Sequence, residues 1–185
     1  MKFVVRQWDT IVRQPGRPKL PGFLIDGTRV NAALDRYFGE RNPRFRTLLH
    51  GDTHFGNVYF TANGDTRFLD WSAFHFGSCF HDLVYFMTAM LTVEDRRRHE
   101  MAILDHYLDT LHRLGGPRFD RHSDAELMVE YKRSFLTNIV WIICPHEMQS
   151  VERIEALCER TVATWVDHKV LEVIEGQPIP SQDQA

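Results

Sequence analysis

The sequence predicts a mainly helical α+β fold in which a small β-hairpin region is embedded in a helical body. Three observations lead there. Short apolar runs at Thr47–Leu49, Val58–Phe60 and Arg67–Leu69 are bounded by turn residues, and Asn63-Gly64-Asp65 between the last two reads as a hairpin turn. From Asp82 onward, apolar residues recur at the three- and four-residue spacing of helices that bury one face. Between the first strand and the hairpin, His50-Gly51-Asp52-Thr53-His54 replaces strand alternation with a glycine and four polar side chains, the composition of a loop that carries chemistry.

Taken in order, residues 1–25 form an N-terminal segment and linker: apolar Phe3, Val4, Val5, Trp8, Ile11 and Val12 precede a stretch whose Pro15, Pro18 and Pro21 forbid a continuing helix. Residues 26–175 are one lobe. Thr28 is placed to cap a helix with Val30, Ala33, Leu34, Tyr37 and Phe38 inward. After the hairpin, Trp71 to Cys79 reads as a loop, and Asp82–Leu91 as a buried helix with Asp82 near its start. A carboxylate there can accept free N–H groups of the first turn or of the preceding polar loop. Thr92 caps the next helix, whose stripe runs from Ile103 to Leu114 and stops at Gly115-Gly116-Pro117. Ser123-x-x-Glu126 reads as a capping box opening a helix that continues through Tyr131, Phe135 and Ile139 to Pro145. A last helix spans about Ser150 to Glu175, with Val151, Ile154, Cys158, Thr161, Trp165 and Val173 inward, and residues 176–185 form a frayed tail.

The hairpin holds the two ends of the central stretch side by side, so Asp52, Asn57 and Asp70 converge on one cavity. Two carboxylates and an amide oxygen are a hard-oxygen set suited to Mg²⁺, which takes few protein ligands and shares the rest with phosphate and water. His50, ending a strand, reads as a core group donating to a backbone carbonyl. His54 is placed to orient Asp52, to contact a bound group, or to pack against His75 or His81.

His50-Gly51-Asp52-x-His54-x-x-Asn57, then Leu69-Asp70-Trp71 and Phe80-His81-Asp82-Leu83-Val84-Tyr85-Phe86, resemble the catalytic and metal-binding loops of the aminoglycoside phosphotransferase and choline or ecdysteroid kinase-like family, over residues 45 to 170 or so. The resemblance implies the C-terminal lobe of a protein-kinase-like fold and an ATP- and Mg²⁺-dependent phosphotransferase. Asp52 would then be the base, His54 its orienting partner, and Asn57 and Asp70 the Mg²⁺ and nucleotide-phosphate ligands. It implies a structural role for Asp82. The nucleotide-binding lobe that such enzymes carry upstream is expected to be absent. The four lysines, Lys2, Lys19, Lys132 and Lys169, follow no strand pattern after a glycine-rich turn, and neither GxGxxG nor a Walker A sequence occurs.

Two other readings stand beside the phosphotransferase. One is a kinase-lobe scaffold running ATP-independent acid–base chemistry with the Asp52/His54 pair, such as dehydration, isomerisation or cyclisation. The other is a non-catalytic binding remnant. A zinc or two-metal hydrolase is disfavoured, because the second elements those signatures need are missing. With 22 basic against 25 acidic residues, the net charge of −3 argues against nucleic acid or anionic membrane and for a small hydroxylated partner. Cys79, Cys144 and Cys158 form no CxxC pair, no run reaches the ~20 apolar residues of a membrane span, and the N-terminus is too short in apolar residues for a secretory signal, so the expected location is cytoplasmic. An apolar cleft of Trp71, Phe74, Phe76 and Phe80 is expected to be covered by a homodimer partner or by a chain supplying the missing lobe.

Overall fold

The computed structural model describes residues 8–15 and 17–176, so the expected apolar segment at Phe3–Val5 and the tail from 177 lie outside the described residues. Among the described residues the fold is mainly helical α+β with two separate two-stranded antiparallel ribbons. Short helices α1 (Trp8–Ile11) and α2 (Gly22–Ile25) lead to α3 (Gly27–Gly39), which buries Val30, Ala33, Leu34 and Tyr37. Its cap is Asp26, whose side chain accepts from the N–H groups of Thr28 and Arg29, and not the expected Thr28. A carboxylate two residues earlier reaches both orphan donors at once.

Strand β1 (Arg46–Leu49) pairs with β4 (His75–Ser78) in the register Leu49↔His75 to Arg46↔Ser78, and β2 (Val58–Phe60) pairs with β3 (Thr66–Phe68) around Gly64, whose φ is +83°. The hairpin stands where the turn residues put it. Strand β4 lies inside the stretch read as a loop. A four-residue strand of His, Phe, Gly and Ser carries no alternation of its own and is specified only by its partner β1.

The helical body comprises α4 (His81–Met90), α5 (Val93–Arg113), α6 (Ala125–Ser134), α7 (Ile139–Ile142), α8 (Val151–His168) and α9 (Val170–Glu175). Thr92 caps α5 as expected, and Ser150, the expected start of the last helix, caps α8. The cap of α6 is Asp124, which accepts from Leu127 N–H, while Ser123 donates to Asp120 and Glu126 pairs with Arg44. The box pattern therefore selects the wrong neighbour, because the carboxylate one residue on competes for the same donors. The helix expected to run unbroken to Pro145 tightens into a 3₁₀ turn over Phe135–Asn138, and the last helix breaks at Lys169 in the left-handed region. Leu114 and Val151, expected inward, are exposed.

The core joins Leu24, Val30, Phe45, Phe80, Val84, Leu104, Leu127, Tyr131, Phe135, Ile139, Trp165 and Ile174. The Trp165 indole N–H donates to Phe135 O at 2.9 Å, satisfying a carbonyl exposed by the 3₁₀ turn. No helix among the described residues is long and apolar enough to cross a membrane.

Candidate active site

The site is built on the turn that follows β1. Leu49 anchors the strand in the interior, and the chain then reverses at Gly51 with φ +84°. A Cβ at Gly51 would collide with the Ala73 carbonyl oxygen and stand 2.8 Å from His75 Nδ1, so backbone conformation and space both demand glycine. Asp82, near the start of α4, reaches across to accept from His50 N–H at 2.7 Å and Gly51 N–H at 2.9 Å, and its own carbonyl accepts from the Thr53 hydroxyl at 2.8 Å. The carboxylate clamps the loop and leaves the first turn of its own helix alone.

His50 is buried. Its Nδ1 accepts from Asp52 N–H at 3.2 Å, which puts the proton of the neutral ring on Nε2, and that nitrogen lies 2.7 Å from the Leu69 carbonyl. The ring packs against Trp71 at 4.7 Å and Phe68 at 5.2 Å, so His50 ties the loop to the end of the hairpin, as a core histidine would.

Around Asp52 three side chains meet. Tyr85 O–H donates to Oδ1 at 3.1 Å, Asn57 Nδ2 donates to Oδ2 at 3.3 Å and to the Asp52 carbonyl at 3.0 Å, and His54 Nε2 lies 3.5 Å from Oδ2. His54 Nδ1 accepts from Gly56 N–H at 3.0 Å, so the proton of a neutral His54 sits on Nε2, toward the carboxylate. His54 thus stands beside Asp52, while His75 and His81 pack against each other at 5.3 Å. Burial and the Asp52 charge push the Tyr85 phenol well above its usual range, which keeps it a proton donor at any working pH. Asp52 itself retains 37% side-chain exposure.

Asp70 enters through the hairpin. Leu69 N–H donates to Asn57 O at 2.7 Å, closing the ribbon one residue beyond its last pair, and Asp70 follows with φ +53°. Its carboxylate accepts from the Ser72 hydroxyl at 2.6 Å and the Ser72 N–H at 3.2 Å, and these two bonds hold it below the usual carboxylate range. Asp70 is exposed, flanked by Leu69 and Trp71, both of which touch His50.

Residues 25–115 match the model of the ecdysteroid kinase-like family. This stretch is an ecdysteroid kinase-like domain. The domain holds every candidate above, from Asp52 through Asp70 to Asp82, and runs from the end of α2 past α5. It begins upstream of the likeness read from the sequence and ends before α6. No curated protein and no solved structure matches the chain.

Two features of the ecdysteroid kinase-like domain escaped the sequence reading. Tyr85 sits among apolar residues of a helix read as buried on most faces, and nothing in that pattern says its hydroxyl meets a loop carboxylate 33 positions away. Asp82 and Tyr85, three residues apart on one helix, were the only local hint. Of the expected apolar cleft, Trp71, Phe74 and Phe76 are more than half exposed, but Phe80 is fully buried against Phe45 and Tyr131. Phe80 precedes α4 directly, so it follows the helix into the core.

Proposed function

We propose that this chain transfers the γ-phosphoryl group of ATP to a hydroxyl of a small molecule, with Asp52 as the base, His54 orienting it, and Asn57 and Asp70 holding Mg²⁺. Family membership suggests phosphotransfer and implies a kinase-like fold. On this reading residues 26–175 act as the helical lobe of that fold. The observation that carries the proposal is the Asp52 carboxylate: it is anchored by Tyr85 and Asn57 yet over a third exposed, the condition for a base that must meet an incoming hydroxyl in a fixed orientation.

The donor set fits a divalent cation. Asn57 commits Nδ2 to Asp52, which leaves Oδ1 as the amide atom free to ligate, and Asp70 is an exposed, ionised carboxylate with only Oδ1 engaged by Ser72. No cluster of three or more His, Cys, Asp or Glu suited to a metal occurs among the described residues, and Mg²⁺ shared with a nucleotide needs none. Bound there, the cation would neutralise phosphate charge. In the transfer, the Asp52 carboxylate takes the acceptor's proton as the acceptor oxygen bonds to the γ-phosphorus, and the bond to the bridging oxygen breaks with its electron pair leaving on ADP.

Calorimetric titration with ATP in the presence and absence of Mg²⁺ tests the proposal. Mg²⁺-dependent binding is expected, and Asp52→Asn should keep the fold while cutting turnover by about a thousandfold, the scale of a lost general base. No detectable nucleotide binding would remove this reading.

A further inference from the structure

We infer that Tyr85 is a positioning residue for the proposed base, fixing the rotation in which the Asp52 carboxylate is presented to the acceptor hydroxyl. The inference rests on the phosphotransfer reading and adds a residue to that site. Tyr85 is only 6% exposed, and its ring is held between Trp141, 4.9 Å away, and His81, stacked at 5.9 Å with 13° between the planes. Its hydroxyl therefore leaves a rigid helix with no freedom to follow a moving partner. Asp52 lies on an irregular loop whose side chain would otherwise sample several rotamers.

Two contacts from α4 remove that freedom. Asp82 fixes the backbone on the N-terminal side of Asp52 through His50 and Gly51, and Tyr85, one turn further along the helix, fixes the side chain through Oδ1. Oδ2 takes the other two contacts, 3.3 Å from Asn57 and 3.5 Å from His54, both from the loop itself, so Tyr85 is the side chain by which the helical body holds the carboxylate. One helix thus sets both the height of the loop and the rotation of its carboxylate, which is the kind of supporting contact that holds a reactive group in productive geometry.

The test uses the purified full chain with Mg²⁺-ATP, following ADP release with water and with glycerol as acceptors. Tyr85→Phe keeps the ring between Trp141 and His81 and removes only the hydroxyl. A hydrogen bond to an ionised group predicts a roughly ten- to hundredfold fall in kcat, with nucleotide affinity and thermal midpoint nearly unchanged. In an Asp52→Asn background the same substitution should add nothing, because Tyr85 acts through the carboxylate. A purely structural tyrosine would instead lower both backgrounds alike. Wild-type turnover unchanged by Tyr85→Phe overturns the inference alone, and so does an equal loss in both backgrounds. A wild-type chain that neither binds nor turns over the nucleotide overturns the phosphotransfer reading and the inference with it.

Discussion

At the scale of single residues, the chain after β1 satisfies several demands within eight positions. Gly51 supplies a left-handed turn into which no side chain fits, Asp52 N–H donates to the His50 ring, and the Asn57 amide donates to both the backbone carbonyl and the carboxylate of Asp52. Gly51→Ala should cost about 1–3 kcal/mol in denaturant unfolding through the positive φ alone. The collision with the Ala73 carbonyl adds to this, so turnover should fall together with stability. A variant as stable as the wild type would show that the turn relaxes without cost. The polar loop, its glycine, and the core role of His50 were all legible from residue types. The chosen partner of each was not, because Leu69, Tyr85 and Asp82 arrive from 19 to 33 positions away.

At the scale of elements, periodicity located the helices and chemistry located their ends less well. The cap at Thr92 follows the sequence pattern, whereas Asp26 and Asp124 displace the expected Thr28 and Ser123. In each displaced case a carboxylate lies close to the hydroxyl residue, and an ionised acceptor binds helix N–H groups better than a hydroxyl does. The break between α8 and α9 belongs to this scale as well. Lys169 sits at φ +50°, ψ +48°, a conformation that costs a side-chain-bearing residue about 1–2 kcal/mol and glycine almost nothing. Lys169→Gly should therefore raise stability by about 0.5–1 kcal/mol once the greater freedom of glycine in the unfolded chain is offset. Thermal unfolding measures this, and a lower midpoint would mean that the lysine stem contributes packing that outweighs the strain.

For the whole molecule, a buried ionic network ties α5 to α6 and α8. Arg96 pairs with Glu100 and Asp167, Tyr131 donates to Glu100 at 3.0 Å, and His168 lies 2.6 Å from Glu100 while its ring stacks on Phe135 at 4.6 Å. Burial alone would raise the Glu100 carboxyl, but bonds and charge from His168 and Arg96 outweigh it and hold the group below 4.5. The Asp167 carboxyl is lowered first by its bonds to Arg97, with burial opposing. For carboxylates lowered on folding, the stabilisation is complete above the unfolded value near 4.5 and drains away as pH falls through the folded values. Unfolding followed from about pH 5 to about pH 3 should therefore show a steep loss of stability as this network's contribution drains away. Glu100→Ala, which strands Arg96 without its buried partner, should cost about 3–5 kcal/mol at neutral pH. Stability indifferent to acid would contradict a structural role for this network.

By itself the sequence determined the mainly helical α+β class, the hairpin around Gly64 and the polar loop with its glycine, because turn residues, periodicity and a compact motif are local signals that survive without coordinates. Only the tertiary structure decided that His75–Ser78 is a strand, that Phe80 is core, and that Tyr85 holds the Asp52 carboxylate. Each of these depends on what lies opposite in space. A short strand is defined by its neighbour, an aromatic ring by the volume it fills, and a buried hydroxyl by the acceptor that meets it.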